Sequence, residues 1–226
     1  MDVSALFPVL TYKPTYAPVA VACLPVVGQE VFRRVGKTNS FRQVAIFTIN
    51  GKKYVAKTYS RPLGEIVWRD MQKAKDSYAV AARYLPVAPT LFVYGREPGR
   101  ERYVIRVQEY CPRRLCDLSD EELRAPETKA QLLHIVACAE KMIQEAGWLP
   151  DCFGHPARAT DIPSWPSLRQ STNIMVSEDG RVLFVDINYP QPWNSTANPA
   201  GQMALREATR RLRSFAAWLN ETPGLS

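Results

Sequence analysis

A short apolar run, a turn and a second apolar run that ends in an acid constrain the fold of this chain most. Ile174–Val176 and Val182–Val185 have the apolar, β-branched composition of strands. The Asp179-Gly180 pair between them is the strongest short hairpin signal a sequence offers. Asn173 and Asp186 should therefore lie side by side at the open end of one hairpin. An amide oxygen and a carboxylate there are hard ligands of the kind Mg²⁺ takes. The alternative is a surface hairpin that merely begins with Asn and ends with Asp.

The composition fits an ordinary globular chain. Its 226 residues suit one domain of two lobes or two small domains, and 46% hydrophobic residues are enough for a buried core. The net charge of +7 is mild and spread out, so a solvated surface explains it. An anionic partner, such as nucleotide phosphate or nucleic acid, is the alternative. Because no nucleic-acid-binding motif is recognised, no nucleic-acid partner is predicted.

Cysteine and histidine usage indicates the compartment. Five cysteines and two histidines show no zinc-ligand spacing, and an odd number of cysteines argues against a disulfide framework. Reduced cysteines predict a cytoplasmic protein, or one secreted into a host cytosol if it is a bacterial effector. The start of the chain has no basic segment typical of a signal peptide. The apolar run at 17–27 is too short to cross a bilayer, so no membrane segment is predicted.

Three strand-like runs follow an N-terminal segment. Residues 1–29 contain four prolines and several apolar residues, which predicts an extended arm that packs on the body. The runs are Val31–Val35, Phe41–Ile49 and Lys53–Tyr59. Asn50-Gly51 joins the second and third and is again a hairpin signal.

After the third strand-like run, the spacing of the apolar residues changes from the alternation typical of strands to the spacing typical of helices. Gly64–Leu85 is predicted as a helix because apolar residues recur at spacings of three and four. Thr90–Tyr94 and Arg102–Glu109 are predicted as two further strands, which makes a five-stranded antiparallel sheet with one helix inserted. Thr128–Ala146 and Ala200–Asn220 are predicted as amphipathic helices.

The order of these parts resembles the protein-kinase-like fold, including its aminoglycoside phosphotransferase and atypical bacterial kinase branches. A sheet with Val55-Ala56-Lys57, a helix, two strands, a linker at Cys111–Asp117, a helix, a loop and the hairpin follow one another over residues 30–190. The resemblance implies an α+β, two-lobed fold. Residues 30–110 would form a nucleotide-binding lobe and residues 111–226 a short, mainly helical lobe with the catalytic and metal-binding loops.

The same resemblance assigns the site residues. Lys57 matches the lysine that holds the α- and β-phosphates of ATP, where negative charge is concentrated. Asn173 and Asp186 match the two residues that hold Mg²⁺. The remaining positions assigned to nucleotide binding, with a helix acid as partner of the lysine, are Gly36, Val44, Ala56, Asp76, Glu109, Cys111 and Met175.

Two motifs depart from the family pattern. Gly36 is the only glycine of the loop that should cover the phosphates, so backbone approach to phosphate would be hindered. The D-F-G motif reads Asp186-Ile187-Asn188, without its Phe and Gly. Metal binding through the acid is still implied, but a switch based on the Phe is not.

The catalytic acid is the third departure. The family spacing before Asn173 places Leu168 at that position, and a leucine accepts no proton. Asp151 follows the long helix as the catalytic Asp does in the family, which makes 152–172 an insertion. Asp161 is the alternative, and a chain with no catalytic base is the third possibility.

These features predict an ATP-dependent phosphotransferase that uses Mg²⁺, most simply a minimal atypical protein Ser/Thr kinase. A small hydroxyl-bearing substrate is an alternative acceptor. A pseudokinase that binds nucleotide or docks a partner is the alternative from another functional class. The missing catalytic motif and the poor glycine loop favour that alternative.

Overall fold

The computed structural model describes residues 33–36, 41–49, 51–59, 73, 75–96, 102–152, 168–187, 190 and 195–221. The chain divides into two units. The first is made of Met1–Gln72 and Ala88–Tyr110, and the second of Lys73–Val87 and Cys111–Ser226. The predicted arm, 1–29, lies outside the described residues.

The first unit is built on an antiparallel sheet. Its strands are β1 (Arg33–Gly36), β2 (Phe41–Ile49), β3 (Lys52–Tyr59), β4 (Thr90–Arg96) and β5 (Arg102–Glu109). They pair in the order β1-β2-β3-β5-β4, and each neighbouring pair is antiparallel. β3 therefore lies between β2 and β5, inside the sheet.

The predicted hairpin between β2 and β3 is confirmed. Ile49 pairs with Lys52, and Gly51 in the connection has a φ of 78°. Glycine occupies this left-handed region without the steric cost that a Cβ brings, which is why the turn falls there. The same register places Lys57 opposite Val44 in β2.

The described residues of the second unit include a small sheet and several α-helices. The strands are β6 (Arg113–Arg114), β7 (Ile174–Val176) and β8 (Val182–Phe184), and the helices are α1 (Asp120–Arg124), α2 (Pro126–Ala146) and α3 (Pro199–Asn220). The strands pair antiparallel in the order β6-β7-β8. A helical segment at 75–81 and 3-10 turns at Leu115–Asp117 and Leu168–Gln170 also belong to this unit. The α+β class is confirmed.

The two long predicted helices are confirmed, and each begins slightly earlier than expected. α2 starts at Pro126 and α3 at Pro199, because proline has a suitable φ and lacks only an amide that has no partner in the first turn. The Asn198 side chain caps α3 by accepting a hydrogen bond of 3.0 Å from the Gly201 amide. Gly147, with φ 71°, ends α2.

The segment predicted as a plain linker, 111–117, has structure of its own. Arg113 and Arg114 form β6, which pairs with β7, so the prediction was wrong there. α1 was not predicted, although its signal is visible. Ser119 and Glu122 form a reciprocal capping box, with hydrogen bonds of 3.2 and 2.8 Å. Hydrogen bonds from Arg113 and the Ser119 amide lower the pKa of Glu122 to about 2.

Apolar faces of α2, α3 and the small sheet supply the core of the second unit. The larger fully buried side chains in it include Leu115, Leu123, Leu132, Ile135, Met142, Leu168, Ile174, Phe184 and Ile187. Among the residues that the structure describes, no helix has the length and apolarity needed to cross a bilayer.

Candidate functional site

The hairpin that carries Asn173 and Asp186 is present with the predicted pairing. Ile174 lies opposite Phe184, and the amide of Val185 donates to the carbonyl oxygen of Asn173 at 3.0 Å. Asn173 and Val185 therefore face each other at the open end, and Asp186 is the next residue along. The sequence prediction that these two polar residues share one end of a hairpin agrees with this register.

The closed end of the hairpin is a three-residue turn. The Ser177 amide donates to the Arg181 carbonyl at 2.9 Å, and Gly180 takes the left-handed conformation with φ 82°. Asp179 accepts hydrogen bonds from the Ser177 hydroxyl and, at 2.8 Å, from Arg181 Nε. These bonds lower the pKa of the Asp179 carboxyl to about 2. The turn is thus fixed by its own polar side chains.

The Gln131 side chain of α2 forms two hydrogen bonds with this hairpin. Gln131 Nε2 donates to the Gly180 carbonyl at 3.0 Å, and Gln131 Oε1 accepts from the Val182 amide at 2.8 Å. The NH₂ group and the oxygen of the Gln131 amide thus both bond to main-chain groups of the hairpin. The register of the hairpin relative to α2 is therefore specified.

The Asn173 side chain connects the hairpin to Asp151. Asn173 Nδ2 donates to the main-chain carbonyl oxygen of Asp151 at 2.6 Å. Because a carbonyl oxygen only accepts, the NH₂ group must face it, and the other branch of the amide is the oxygen Oδ1. Asp151 and Asn173, which are 22 residues apart in sequence, are thereby brought together.

The chain that leads to Asp151 is bonded to the segment before α3. After Gly147 ends α2, its carbonyl oxygen accepts a hydrogen bond of 2.7 Å from the Thr196 amide, and Trp148 forms a β-bridge with Ser195. Leu149, Pro150 and Asp151 follow and are all buried. Asp151 is 8% exposed. The segment before α3 therefore supports the segment that presents Asp151.

The thiol of Cys152, the residue after Asp151, is buried and has a raised pKa. Cys152 is buried, and burial, followed by the adjacent Asp151 charge, raises the pKa of its thiol well above the usual value. A thiol that stays protonated is a poor nucleophile. No covalent role is therefore assigned to Cys152.

Sequence reasoning missed Tyr78, a buried residue of the helical segment 75–81. Its hydroxyl donates to the Val185 carbonyl at 3.1 Å and accepts from the Ile187 amide at 3.2 Å. These two partners flank Asp186. In the sequence Tyr78 is only one more apolar member of a helical pattern, so no local signal identifies this contact.

The chain after that helical segment also contacts the hairpin. The Phe184 amide donates to the Pro86 carbonyl at 2.8 Å, and Val87 forms a parallel bridge with Phe184. Asp76 is exposed. Residues two apart on a helix differ by about 200° in direction, so an inward Tyr78 turns Asp76 outward. The role of Asp76 as partner of the lysine stays a prediction.

Leu168, the residue that the sequence resemblance aligns with a catalytic Asp, is fully buried in a 3-10 turn. Its carbonyl accepts from the Ser171 amide at 3.0 Å, and the Ser171 hydroxyl accepts from the Asn173 amide at 3.3 Å. This turn leads the chain into β7. Leu168 thus has a packing role here, and Asp161 lies outside the described residues.

The other predicted nucleotide-binding residues are located as follows. Gly36 is the last residue of β1, and the side chains of Val44, Ala56 and Lys57 lie outside the described part of the structure. Glu109 ends β5 and forms an ion pair of 3.1 Å with Lys52. Cys111 is buried, and Met175 is half-buried in β7 between Arg114 and Leu183.

The open end of the hairpin carries an amide oxygen and a carboxylate, which are the types of ligand that Mg²⁺ takes. Asn173 Oδ1 is the branch of the amide that the bond to Asp151 does not use, and the half-buried Asp186 is one residue beyond Val185, which faces Asn173. Mg²⁺ is commonly bound by one or two protein oxygens together with substrate phosphates and water. Within the described ranges, no cluster of three or more His, Cys, Asp or Glu side chains could hold a metal ion.

No protein-family model matches the chain, and no curated protein matches it. In fold, the chain is similar to solved proteins of the protein-kinase class. One is the pseudokinase DRIK1 (drought responsive inactive kinase 1) bound to ENMD-2076, with 14% identity and a TM-score of 0.48 over 94% of this chain and 74% of that one. Another is the MAP kinase LmaMPK10 from Leishmania major, with 13% identity and a TM-score of 0.43 over 72% of this chain and 47% of that one.

Proposed function

We propose that the protein is a Mg-ATP-dependent phosphotransferase, and that it acts as a minimal atypical protein Ser/Thr kinase. The observation that supports this most is the 2.6 Å hydrogen bond from Asn173 Nδ2 to the Asp151 carbonyl. It joins the proposed catalytic acid to a proposed metal ligand in spite of the long segment between them. Asp186 follows at the same end of the hairpin.

In the proposed reaction, a bond forms between the acceptor oxygen and the γ-phosphorus of ATP while the bond to the ADP oxygen breaks. Asp151 orients the acceptor hydroxyl and takes its proton late in the reaction. Asn173 Oδ1 and the Asp186 carboxylate would hold Mg²⁺. The ion, when bound, neutralises charge on the phosphate oxygens. The resemblance assigns the phosphate-binding cation to Lys57.

The arrangement accounts for much of the departure from the family pattern. The catalytic Asp need not stand at the usual distance before Asn173 if the side chain of Asn173 can reach the main chain of Asp151 directly. The segment 152–172 is then an insertion that leaves the bonded pair intact. Positioning and fixed charge supply most of the rate in phosphoryl transfer, so the placement of these groups matters more than the sequence spacing between them.

Transfer of phosphate from radiolabelled ATP to a mixture of protein and small hydroxyl acceptors tests the proposal. Lys57→Ala and Asp186→Ala should abolish turnover, and Asp151→Asn should reduce it at least about 100-fold, the scale for loss of a general base. Glu178→Gln is a matched control, because Glu178 is an exposed acid at the closed end of the same hairpin. Full turnover in all three site variants would show that the assignment is wrong.

A pseudokinase that binds nucleotide or docks a partner protein is the second candidate. The burial of Leu168 at the family position of the base, and of Asp151 itself, favours it. A thermal-shift titration with ATP and Mg²⁺ separates a chain that binds nucleotide from one that does not, since a ligand that binds only the native state raises the unfolding midpoint. The phosphate-transfer assay then separates the kinase from the pseudokinase. A midpoint that rises with ATP and Mg²⁺ in a protein without phosphate transfer would support the pseudokinase.

A further inference from the structure

The Tyr78 hydroxyl makes two hydrogen bonds that enclose a single residue of the proposed metal site. It donates to the Val185 carbonyl at 3.1 Å and accepts from the Ile187 amide at 3.2 Å. From this geometry we infer that Tyr78 is a positioning residue that sets the conformation of Asp186. The inference rests on the proposed function, in which Asp186 holds Mg²⁺.

The two bonded groups belong to the two peptide units on either side of Asp186. The Val185 carbonyl is part of the peptide unit before it, and the Ile187 amide is part of the one after it. Peptide units are planar, so the only soft torsions between these two are φ and ψ of Asp186. One hydroxyl bonded to both units therefore restrains both torsions. The direction of the Asp186 Cα–Cβ bond is fixed as a consequence.

Tyr78 is itself held firmly enough to do this. It is 6% exposed, and it lies within the helical segment 75–81 of the same unit. The chain that follows the segment bonds to β8 through the Pro86 carbonyl at 2.8 Å from the Phe184 amide. Residues 75–86 are thus bonded to residues 184–187 at two places, through the Tyr78 hydroxyl and through the Pro86 carbonyl.

A phenol suits this role better than a carboxylate or an amide. Its hydroxyl offers one donor and two acceptor lone pairs, so a single atom can serve a carbonyl and an amide at once. Its ring fills apolar space, which keeps the pair of bonds away from competing water. Tyr78 does not supply a ligand to the metal; it acts through the main chain of Asp186.

Tyr78→Phe tests the inference because it removes only the hydroxyl. Tyr84→Phe is the matched control, since Tyr84 follows the same helical segment and the group that interacts with its hydroxyl is Glu145 instead. Site-resolved hydrogen exchange should show faster exchange of the Ile187 amide in Tyr78→Phe alone, by about ten-fold, the scale of one net hydrogen bond. This measurement requires neither metal nor ATP.

Calorimetry with Mg²⁺ and a non-hydrolysable ATP analogue provides the second measurement. Tyr78→Phe should weaken the apparent Mg²⁺ affinity about ten-fold, as expected when an outer group that orients a metal ligand is lost. If Tyr78 acts through Asp186, the double variant with Asp186→Ala should bind no more weakly than Asp186→Ala alone. Tyr84→Phe should leave the affinity unchanged.

The outcomes separate the inference from the proposed function. Unchanged exchange at Ile187 in Tyr78→Phe overturns the inference. So do losses that add in the double variant, because a purely structural effect would be independent of the Asp186 carboxylate. Absence of Mg²⁺-nucleotide binding in the wild-type chain overturns the proposed function instead. In that case exchange at Ile187 still decides whether Tyr78 fixes the conformation of Asp186.

Discussion

Replacement of Gly147 by alanine should destabilise the protein more than the same replacement at Gly180. Both glycines have left-handed backbone, with φ of 71° and 82°, where an L-residue costs about 1–2 kcal/mol. A Cβ at Gly180 would meet nothing within 4 Å, whereas one at Gly147 would lie 2.6 Å from Thr196 Oγ1. The exposed Thr196 must then leave its rotamer, at about 0.5–1.5 kcal/mol.

The expected free-energy losses are therefore about 1.5–3.5 kcal/mol for Gly147→Ala and about 1–2 kcal/mol for Gly180→Ala. Urea unfolding followed by tryptophan fluorescence measures both. Thr196→Ala, added to Gly147→Ala and compared with Thr196→Ala alone, should recover the rotamer part, because the remaining Thr196 Cβ is at an ordinary 3.7 Å. Equal losses at the two glycines would refute the argument that the Thr196 side chain leaves no room for a Cβ at Gly147.

Three further results are expected. Hydrogen bonds from Arg210, ahead of other effects, lower the pKa of Glu207 to about 2. Glu207→Gln should therefore be less stable than wild type at neutral pH, with the difference lost as pH falls from about 4.5 to about 2 in acid-unfolding curves. Gln131→Leu should speed amide exchange in the hairpin, since it removes bonds of 3.0 and 2.8 Å, while exchange in α3 stays the same. Arg124→Lys should lower the unfolding free energy by about 1 kcal/mol in urea, since it loses the planar contact of 4.4 Å with the Trp218 ring.

Short sequence signals correctly predicted the turns and the helix end that depend on a single glycine. The hairpins at Asn50-Gly51 and Asp179-Gly180 each have a glycine with positive φ, and α2 ends at Gly147 as a glycine cap predicts. In each case the cost of a Cβ in left-handed backbone decides the position, and that cost depends on one residue. β6, in contrast, consists of two exposed arginines whose strand conformation comes from pairing with β7.

The candidate site was predictable only in part, because its decisive contacts are not local. Asn173 and Asp186 share a hairpin, so their proximity could be predicted from the turn between them. The bond from Asn173 to Asp151 joins residues that are 22 apart in the sequence. The bonds from Tyr78 to the main chain beside Asp186 join residues that are more than 100 apart. Hydrophobic periodicity places Tyr78 on a buried face but gives no partner for its hydroxyl.

The bonds that position the candidate site do not depend on the side chain that follows Asp186. Gln131, Tyr78 and Pro86 all bond to main-chain groups of the hairpin strand that leads to Asp186 and of the residue after it. Main-chain groups are the same for every residue except proline, so these contacts do not depend on which side chain follows the acid. Ile187 can then serve as a buried apolar residue while its amide keeps the bond to Tyr78. In the proposed function, Asn173 and Asp186 then meet the chemical requirement at this end of the hairpin, and the residues that bond to the strand meet the geometric one.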